Sequence, residues 1–380
     1  MFLKSVRNFL KIDIPTNRVF GLDLLRMIAI SIVMVSHAGQ LLEGNVRKVY
    51  DAFFFQGNVG VSIFFVLSGF LIGGILIKTI SNQKTSKIDF KFLFHFWKRR
   101  WFRTLPTYYL ILILLILLEY IYNSNFTFRG IYTYLFFCQS LKADISNFFF
   151  VESWSISIEE WFYLIFPLII WLISKIVNNV KSTFIVSVLI MFLFSTIYRV
   201  HYYYYINSVA NHFINSTFSR LDSISFGVFA SFLSHYYYNH WIERKKSLLI
   251  IGILIFIIFK INIENSTNNI LINIFSYPLL SIATLFTLPY LSTFKLHPEK
   301  FKIITKISLI SYSIFLLNLT LIQHWIIHQI PWFKWIENHQ LLIFTRYIIY
   351  WIFVFVASIL LHKYYEVPLT NLRDKKNKKV

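Results

Sequence analysis

The chain has 380 residues, of which 57% are hydrophobic and only 14% charged. Ordinary soluble domains are about a quarter charged, so this composition excludes a disordered chain and argues against a water-soluble core. The formal net charge of +20 raises nucleic acid as a partner, but the placement of the cations along the chain assigns them to membrane topology. The single Cys138 leaves no internal disulfide, so the fold rests on packing within lipid.

Apolar runs of about 17 to 25 residues suffice to cross a bilayer as helices. Such runs occur at 20–42, 57–78, 104–122, 155–174, 182–204, 218–238, 247–262, 268–291, 307–328 and 341–362. The expected fold is all-α: a polytopic helical bundle of about ten transmembrane helices, one domain over 1–380 with an N-terminal segment 1–18 and a basic tail 363–380. With the N-terminus in the cytoplasm, segments 1–18, 78–103, 175–181, 243–246, 295–306 and 363–380 lie inside and hold 27 of the 37 Lys and Arg. Cytoplasmic loops collect such cations, so both termini are expected in the cytoplasm and no nucleic-acid partner is expected. The first apolar run carries Arg26 and His37 and lacks a small-residue cleavage site, so it reads as a retained helix rather than a signal peptide.

Ionisable groups inside a span are costly and point to function by default. In the first span, Arg26 and His37 are eleven residues apart, close to three helical turns, or about 16 Å on one face. Arg26 is expected near the cytoplasmic end and His37 in the outer half, which suits an extended substrate. The plainer alternative pairs Asp23 with Arg26 and makes His37 a helix contact. The second span carries Gly60, Gly69, Gly73 and Gly74, small residues that let helix backbones approach. Before the third span, FKFLFHFWKRRWFRTLP sets Arg99, Arg100 and Arg103 at helical spacing. They form either an interfacial helix with snorkelling cations or a cytoplasmic phosphate clamp, since guanidinium groups bind phosphate bidentately.

The stretch 127–140 is too short and polar to span and is expected to be re-entrant or interfacial. In the fourth span, Glu159 and Glu160 enter from the outside, and a carboxylate at the depth of His37 would orient its imidazole or keep it basic. Arg220 and Asp222 open the sixth span at similar depth, as part of an acceptor site or as a local ion pair. His324 and His328 have the i,i+4 spacing of half a metal site, but no third ligand is evident, and no metal is expected. The tyrosines 202 to 205 read as an interfacial aromatic belt.

Seven segments, in order, resemble the membrane acyltransferase-3 family, bacterial O-acyltransferases of surface glycans. They are Arg26 with His37, GVSIFFVLSGFLI, FWKRRWFRTLP with Arg100, Arg103 and Pro106, and SWSISIEEWFYLIFP with Trp154, Ser155, Glu159, Phe162 and Tyr163; RLDSISFG, SYSIFLLN and YYEVPLTNLR follow. One departure concerns the late motif, which commonly ends in His where this chain has Asn318. Asn cannot carry a proton near neutral pH, so a role for that histidine is in doubt here, while His37 is expected to be unaffected.

The resemblance implies a multi-pass protein of the bacterial cytoplasmic membrane that moves an acyl group, usually acetyl, from cytoplasmic acyl-CoA to a hydroxyl of a cell-surface or lipid-linked glycan. Acyl-CoA is then a substrate, and no permanently bound cofactor is expected. On this reading Arg99, Arg100 and Arg103 hold its phosphates, Arg26 lines the path of its pantetheine arm, His37 is the general base, Glu159 orients it, and Arg220 and Asp222 shape the acceptor side. Some relatives carry an extracellular hydrolase-like domain; this chain is expected to act alone or with a separate protein. The rival from another class is a transporter or flippase for a lipid-linked glycan, but transporters often show internal repeats with broken helices, and no convincing repeat is found.

Overall fold

A computed structural model describes residues 12–15, 18–81, 90–141, 149–206, 215–263, 270–296 and 301–375. Most of the expected N-terminal segment, residues 376–380 of the basic tail, and most of the loops at 81–90 and 205–217 lie outside the described residues. Among the described residues the architecture is all-helical, with no strand. The first half comprises α1 (Phe20–Gly39), α2 (Gly44–Phe53), α3 (Gly57–Ser81), α4 (Phe90–Tyr122), the short α5 (Ile131–Leu135), α6 (Ser153–Ile176) and α7 (Val180–Ile206). The second half comprises α8 (Leu221–Tyr236), α9 (Tyr238–Glu243), α10 (Lys245–Ile258), α11 (Ile270–Leu291), α12 (Lys302–Leu317), α13 (His339–Leu361) and α14 (Val367–Lys375). Three π-helical stretches, Phe259–Ile263, Asn318–Ile327 and His362–Glu366, continue α10, α12 and α13.

Every expected span contains a helix, and among the described residues eight helices are long and apolar enough to cross a bilayer. The other two expected spans fall on α8, of 16 residues, and α10, of 14. At 1.5 Å per residue, α8 rises only about 24 Å, less than the roughly 30 Å of hydrocarbon in a bilayer. The stretch 127–140 forms only the short α5, pinned to its neighbours where Tyr109 and Trp161 donate to the Leu135 and Phe137 carbonyls at 2.8 and 2.9 Å.

The layering follows the composition of each helix. The outward faces of α7, α10 and α13 carry large apolar side chains, among them Leu193, Ile197, Leu254, Ile257, Phe344 and Ile352, all exposed. Such faces belong in lipid. The middle is occupied by α3, whose small residues admit two neighbours at backbone contact. A Cβ at Gly69 would lie 1.9 Å from the Ile224 carbonyl oxygen of α8, and one at Gly227 would lie 2.0 Å from that of Val66. On another side of α3, Gly60 meets the Ala29 carbonyl of α1. The expectation that these glycines serve helix packing holds there, whereas a Cβ at Gly74 would make only ordinary contact, 3.4 Å from Ser231.

Polar side chains tie the helices where no water can reach. Arg199 of α7 donates to Asp222 of α8 at 2.7 Å, with side chains 1% and 0% exposed. It also donates to the Ser219 carbonyl. Arg220 donates to Ser62 of α3 and lies 3.9 Å from the centre of the Tyr277 ring. Asp222 therefore pairs across helices rather than with Arg220. Removing one member of a buried pair strands the other charge, at a cost of about 3–5 kcal/mol. Arg199→Leu and Asp222→Leu should each lower the thermal unfolding midpoint in detergent sharply, and the double variant should recover part of the loss. Single and double variants that melt like the wild type would show that the pair does not hold α7 to α8.

Candidate functional site

Two cavities lie against α1 and α3, and each contains one half of the Arg26–His37 pair. The larger, of about 640 Å³, is lined by His37, Ser36 and Gln40 of α1, by residues of α2 including Arg47, Lys48 and Asp51, and by Glu152 and Trp154. The smaller, of about 110 Å³, is lined by Arg26, Ser68, Arg100, Arg103, Ser155, Glu159 and Tyr312 among others. Val61 of α3 and Phe315 of α12 line both. The two chambers are thus stacked neighbours, with Trp154 facing one and Ser155 the other.

In and beside the arginine chamber, the anionic groups are largely claimed. Asp23 is held by Arg18, whose Nε donates at 2.8 Å, and by the Ser308 hydroxyl at 2.7 Å. Arg26 stands 3.5 Å from the same carboxylate and donates to Ser308 at 3.2 Å. The pairing of Asp23 with Arg26 is therefore present, but Arg18 is the nearer partner, which leaves Arg26 facing the chamber. Arg100 donates to the Tyr163 hydroxyl and, at 3.2 Å, to Ser68. Tyr163 in turn donates to Glu159 at 2.8 Å, and Glu159 lies 4.0 Å from Arg100. Arg103 lines the chamber without a hydrogen-bond or ion-pair partner among the described residues. Arg99 is exposed and lines neither chamber, so only two of the three expected clamp arginines converge.

The surroundings of His37 differ from expectation. The atom at its Nδ1 is Oδ1 of Asn318, not a carboxylate of Glu159. Glu159 faces the arginine chamber because it lies on the face of α6 that carries Ser155, one turn before it. Two carboxylates share the outer chamber with His37: Asp51 of α2, which accepts from Arg47 at 2.6 Å, and Glu152, seven residues before Glu159 and just ahead of α6. That offset is about 10 Å of helix rise. Asn318, read as a departure without effect on His37, is its direct hydrogen-bond partner.

Asn318 begins the π-helical stretch after α12. Changing from i−4 to i−5 hydrogen bonding leaves backbone groups at the junction to find other partners. Side chains supply them here. Asn318 Nδ2 donates to the Ile314 and Phe315 carbonyls at 2.9 and 2.8 Å. The amides of Leu319 and Thr320 donate to Glu152 Oε1 at 3.0 and 2.8 Å, and the Thr320 hydroxyl donates to Oε2. Glu152 is 2% exposed. Burial pushes its carboxyl up to about 7, against the Thr320 hydroxyl and the backbone donors, which favour the charged form.

The remaining expected residues lie apart. Arg220 and Asp222 are fully buried among α3, α7 and α8 and line neither chamber. Glu160 points to α4, where it accepts from Thr104 at 2.7 Å. His324 and His328 have ring centres 6.0 Å apart. Sequence reasoning missed Glu152, which precedes the motif, and Arg199, although an arginine inside the apolar run 182–204 was itself a signal. In the closing Glu-x-Pro segment, Glu366 accepts from Ser313 of the late motif at 2.8 Å and lies 2.9 Å from His362 Nδ1. It therefore ties the π-helical stretch after α13 to α12.

A family model described as an acyltransferase domain matches residues 19–363. The O-acetyltransferase OatA of Staphylococcus aureus (strain NCTC 8325 / PS 47) is 30% identical over 229 residues, which cover 56% of this chain and 34% of that protein. The peptidoglycan O-acetyltransferase OatA of Listeria monocytogenes is 29% identical over 149 residues, 33% of this chain and 21% of its own. The matched region thus spans about a third or less of these relatives. No solved structure matches the chain. The family match covers nearly the whole sequence, from the helix that carries Arg26 and His37 to the end of α13, and the protein belongs to the membrane acyltransferase-3 family.

Proposed function

We propose that the protein is a membrane O-acyltransferase that takes an acyl group, acetyl by analogy with the relatives, from cytoplasmic acyl-CoA and transfers it to a hydroxyl of a cell-surface or lipid-linked glycan. The observation that carries this reading is the adjacency of the two chambers across Val61 and Phe315. A cationic chamber next to a histidine chamber suits a donor whose phosphates stay on one side while its thioester reaches the other. At about 110 Å³, the arginine chamber is smaller than the roughly 300–1,000 Å³ of typical ligand pockets. It suits a slender pantetheine arm, with the phosphates at its mouth near Arg100 and Arg103. The outer chamber of about 640 Å³ is in the range for a saccharide unit, and its amide, cationic and aromatic lining suits hydroxyl-rich ligands.

In the proposed reaction, His37 accepts the proton of the acceptor hydroxyl while the hydroxyl oxygen attacks the thioester carbonyl. The C–S bond breaks, an ester forms, and the imidazolium returns the proton to the departing thiolate, releasing free coenzyme A. Glu159 and Tyr163 hold Arg100 toward the donor. A transporter or flippase for a lipid-linked glycan would release no coenzyme A, so thiol release on mixing acetyl-CoA with acceptor separates the two readings.

Three outcomes are expected. Arg100→Ala and Arg103→Ala each remove a charge-assisted phosphate contact worth about 1.5–3 kcal/mol, so the donor KM should rise roughly ten- to hundredfold; wild-type donor affinity in both well-inserted variants would remove the clamp. His37→Gln should abolish glycan acylation, read by mass spectrometry of surface glycans, because loss of a general base costs about a hundredfold to ten-thousandfold. Normal acylation by that variant would send the chemistry elsewhere. For topology we propose ten spans, with α8 and α10 crossing and both termini in the cytoplasm of a bacterial cell. Cysteines substituted at 123–153 and 205–217 should then label from outside and those at 81–90 should not; labelling at 81–90 in intact cells would reverse the orientation.

A further inference from the structure

The partner of His37 restricts which of its nitrogens can act. The Asn318 carboxamide nitrogen is committed to two backbone carbonyls, Ile314 and Phe315, at 2.9 and 2.8 Å. Neither carbonyl can donate, so the amide cannot turn over without losing both bonds. Its oxygen therefore faces His37, and an amide oxygen only accepts. The hydrogen bond then requires a proton on His37 Nδ1. In a neutral imidazole that leaves the lone pair on Nε2. This second nitrogen faces Gly57, where a Cβ would stand 3.6 Å from it, and the outer chamber that both residues line.

We infer that Asn318 is the positioning residue of the site, fixing His37 as the Nδ1–H tautomer so that Nε2 is the proton acceptor, and that Glu152 holds Asn318 in register. The inference rests on the proposed reading of His37 as general base. Glu152 does not touch the imidazole in this arrangement. It acts through the backbone, taking the amides of the two residues that follow Asn318 and the Thr320 hydroxyl. When Nε2 takes the acceptor's proton, the Nδ1–H bond to the amide oxygen persists, and the carbonyl dipole of Asn318 faces the new charge. When Nε2 gives the proton to the thiolate, the same bond restores the starting tautomer. The ring thus begins and ends each cycle in one orientation, and the lone pair stays directed into the chamber.

The test uses the full-length chain in membrane vesicles from its own cells, so that the acceptor is present, with acetyl-CoA as the probe and thiol release as the readout. Asn318→Leu keeps the size of the side chain but removes the acceptor. It should lower the maximal rate about ten- to hundredfold, less than the roughly hundredfold to ten-thousandfold that loss of the base itself costs, while the KM for acetyl-CoA stays within about twofold. Glu152→Gln should lower the rate in the same way but less, and the double variant should be no slower than Asn318→Leu alone. A maximal rate within twofold of wild type for Asn318→Leu, with His37→Gln inactive, would overturn the positioning role and leave the base reading standing. Activity in His37→Gln would instead remove the base reading itself.

A second arm does not depend on how Asn318→Leu folds. Histidine methylated at Nε2, placed at position 37, should be inactive. Histidine methylated at Nδ1, in an Asn318→Ala background that gives the methyl room, should retain measurable transfer. The reverse order of activities would overturn the assignment of Nε2.

Discussion

Inside a bilayer there is no water to satisfy a polar group that folding has buried, so burying one is costly unless another part of the same chain meets it. That constraint organises this protein more than any single apolar contact does. Arg199 and Asp222 meet across α7 and α8 at 1% and 0% exposure. Glu152 meets two backbone amides and a hydroxyl that the π-helical stretch after α12 directs at it. Arg100, Tyr163, Glu159 and Ser68 close on one another around the smaller chamber. Each group restricts where its helices can sit, because sliding either partner would strand a charge or an amide.

Against that background, Arg26, Arg103 and His37 differ from the other polar groups of the bundle. Asp23 is shared by Arg18 and Ser308, so it only partly offsets Arg26. Arg103 has no hydrogen-bond or ion-pair partner among the described residues. His37 is bonded at Nδ1 and faces the outer chamber with its other nitrogen. Polar groups that line a cavity and are not used up by the fold are the ones available to a substrate. The distinction separates them from Arg220 and Asp222, which are equally charged and more deeply buried but belong to the packing of α3, α7 and α8.

The chambers themselves depend on how closely backbones approach α3. Gly60 brings α1 against it, and Gly69 with Gly227 brings α8 against it. These crossings set α1 and α3 side by side, so that residues of both helices line the two chambers. Packing of this kind relies on small residues rather than on hydrophobic driving force, since lipid tails are as apolar as the side chains they would replace. One set of glycines thus serves stability and site geometry together.

The sequence by itself determined what depends on local composition and period. Apolar run length marked a helix at all ten expected positions, and the eleven-residue spacing placed Arg26 and His37 on one side of α1, where they line stacked chambers. The ordered motifs were enough to indicate the family. Run length did not report helix length, because α8 and α10 are as apolar as their longer neighbours and differ in where the helix stops. Tertiary structure alone decided which polar groups meet. Glu159 and Glu152 are both carboxylates near the start of α6, but Glu152 is met by the π-helical stretch after α12 beside the chamber of His37, whereas Glu159 lies near Arg100 in the other chamber. The partner of His37 lies 281 residues away in sequence, at the point after α12 where the helical hydrogen bonding changes, which no local periodicity announces. Local sequence reports the direction and length of a helix, but hydrogen bonds between distant helices are set by their relative rotation and depth, which only the packed bundle specifies.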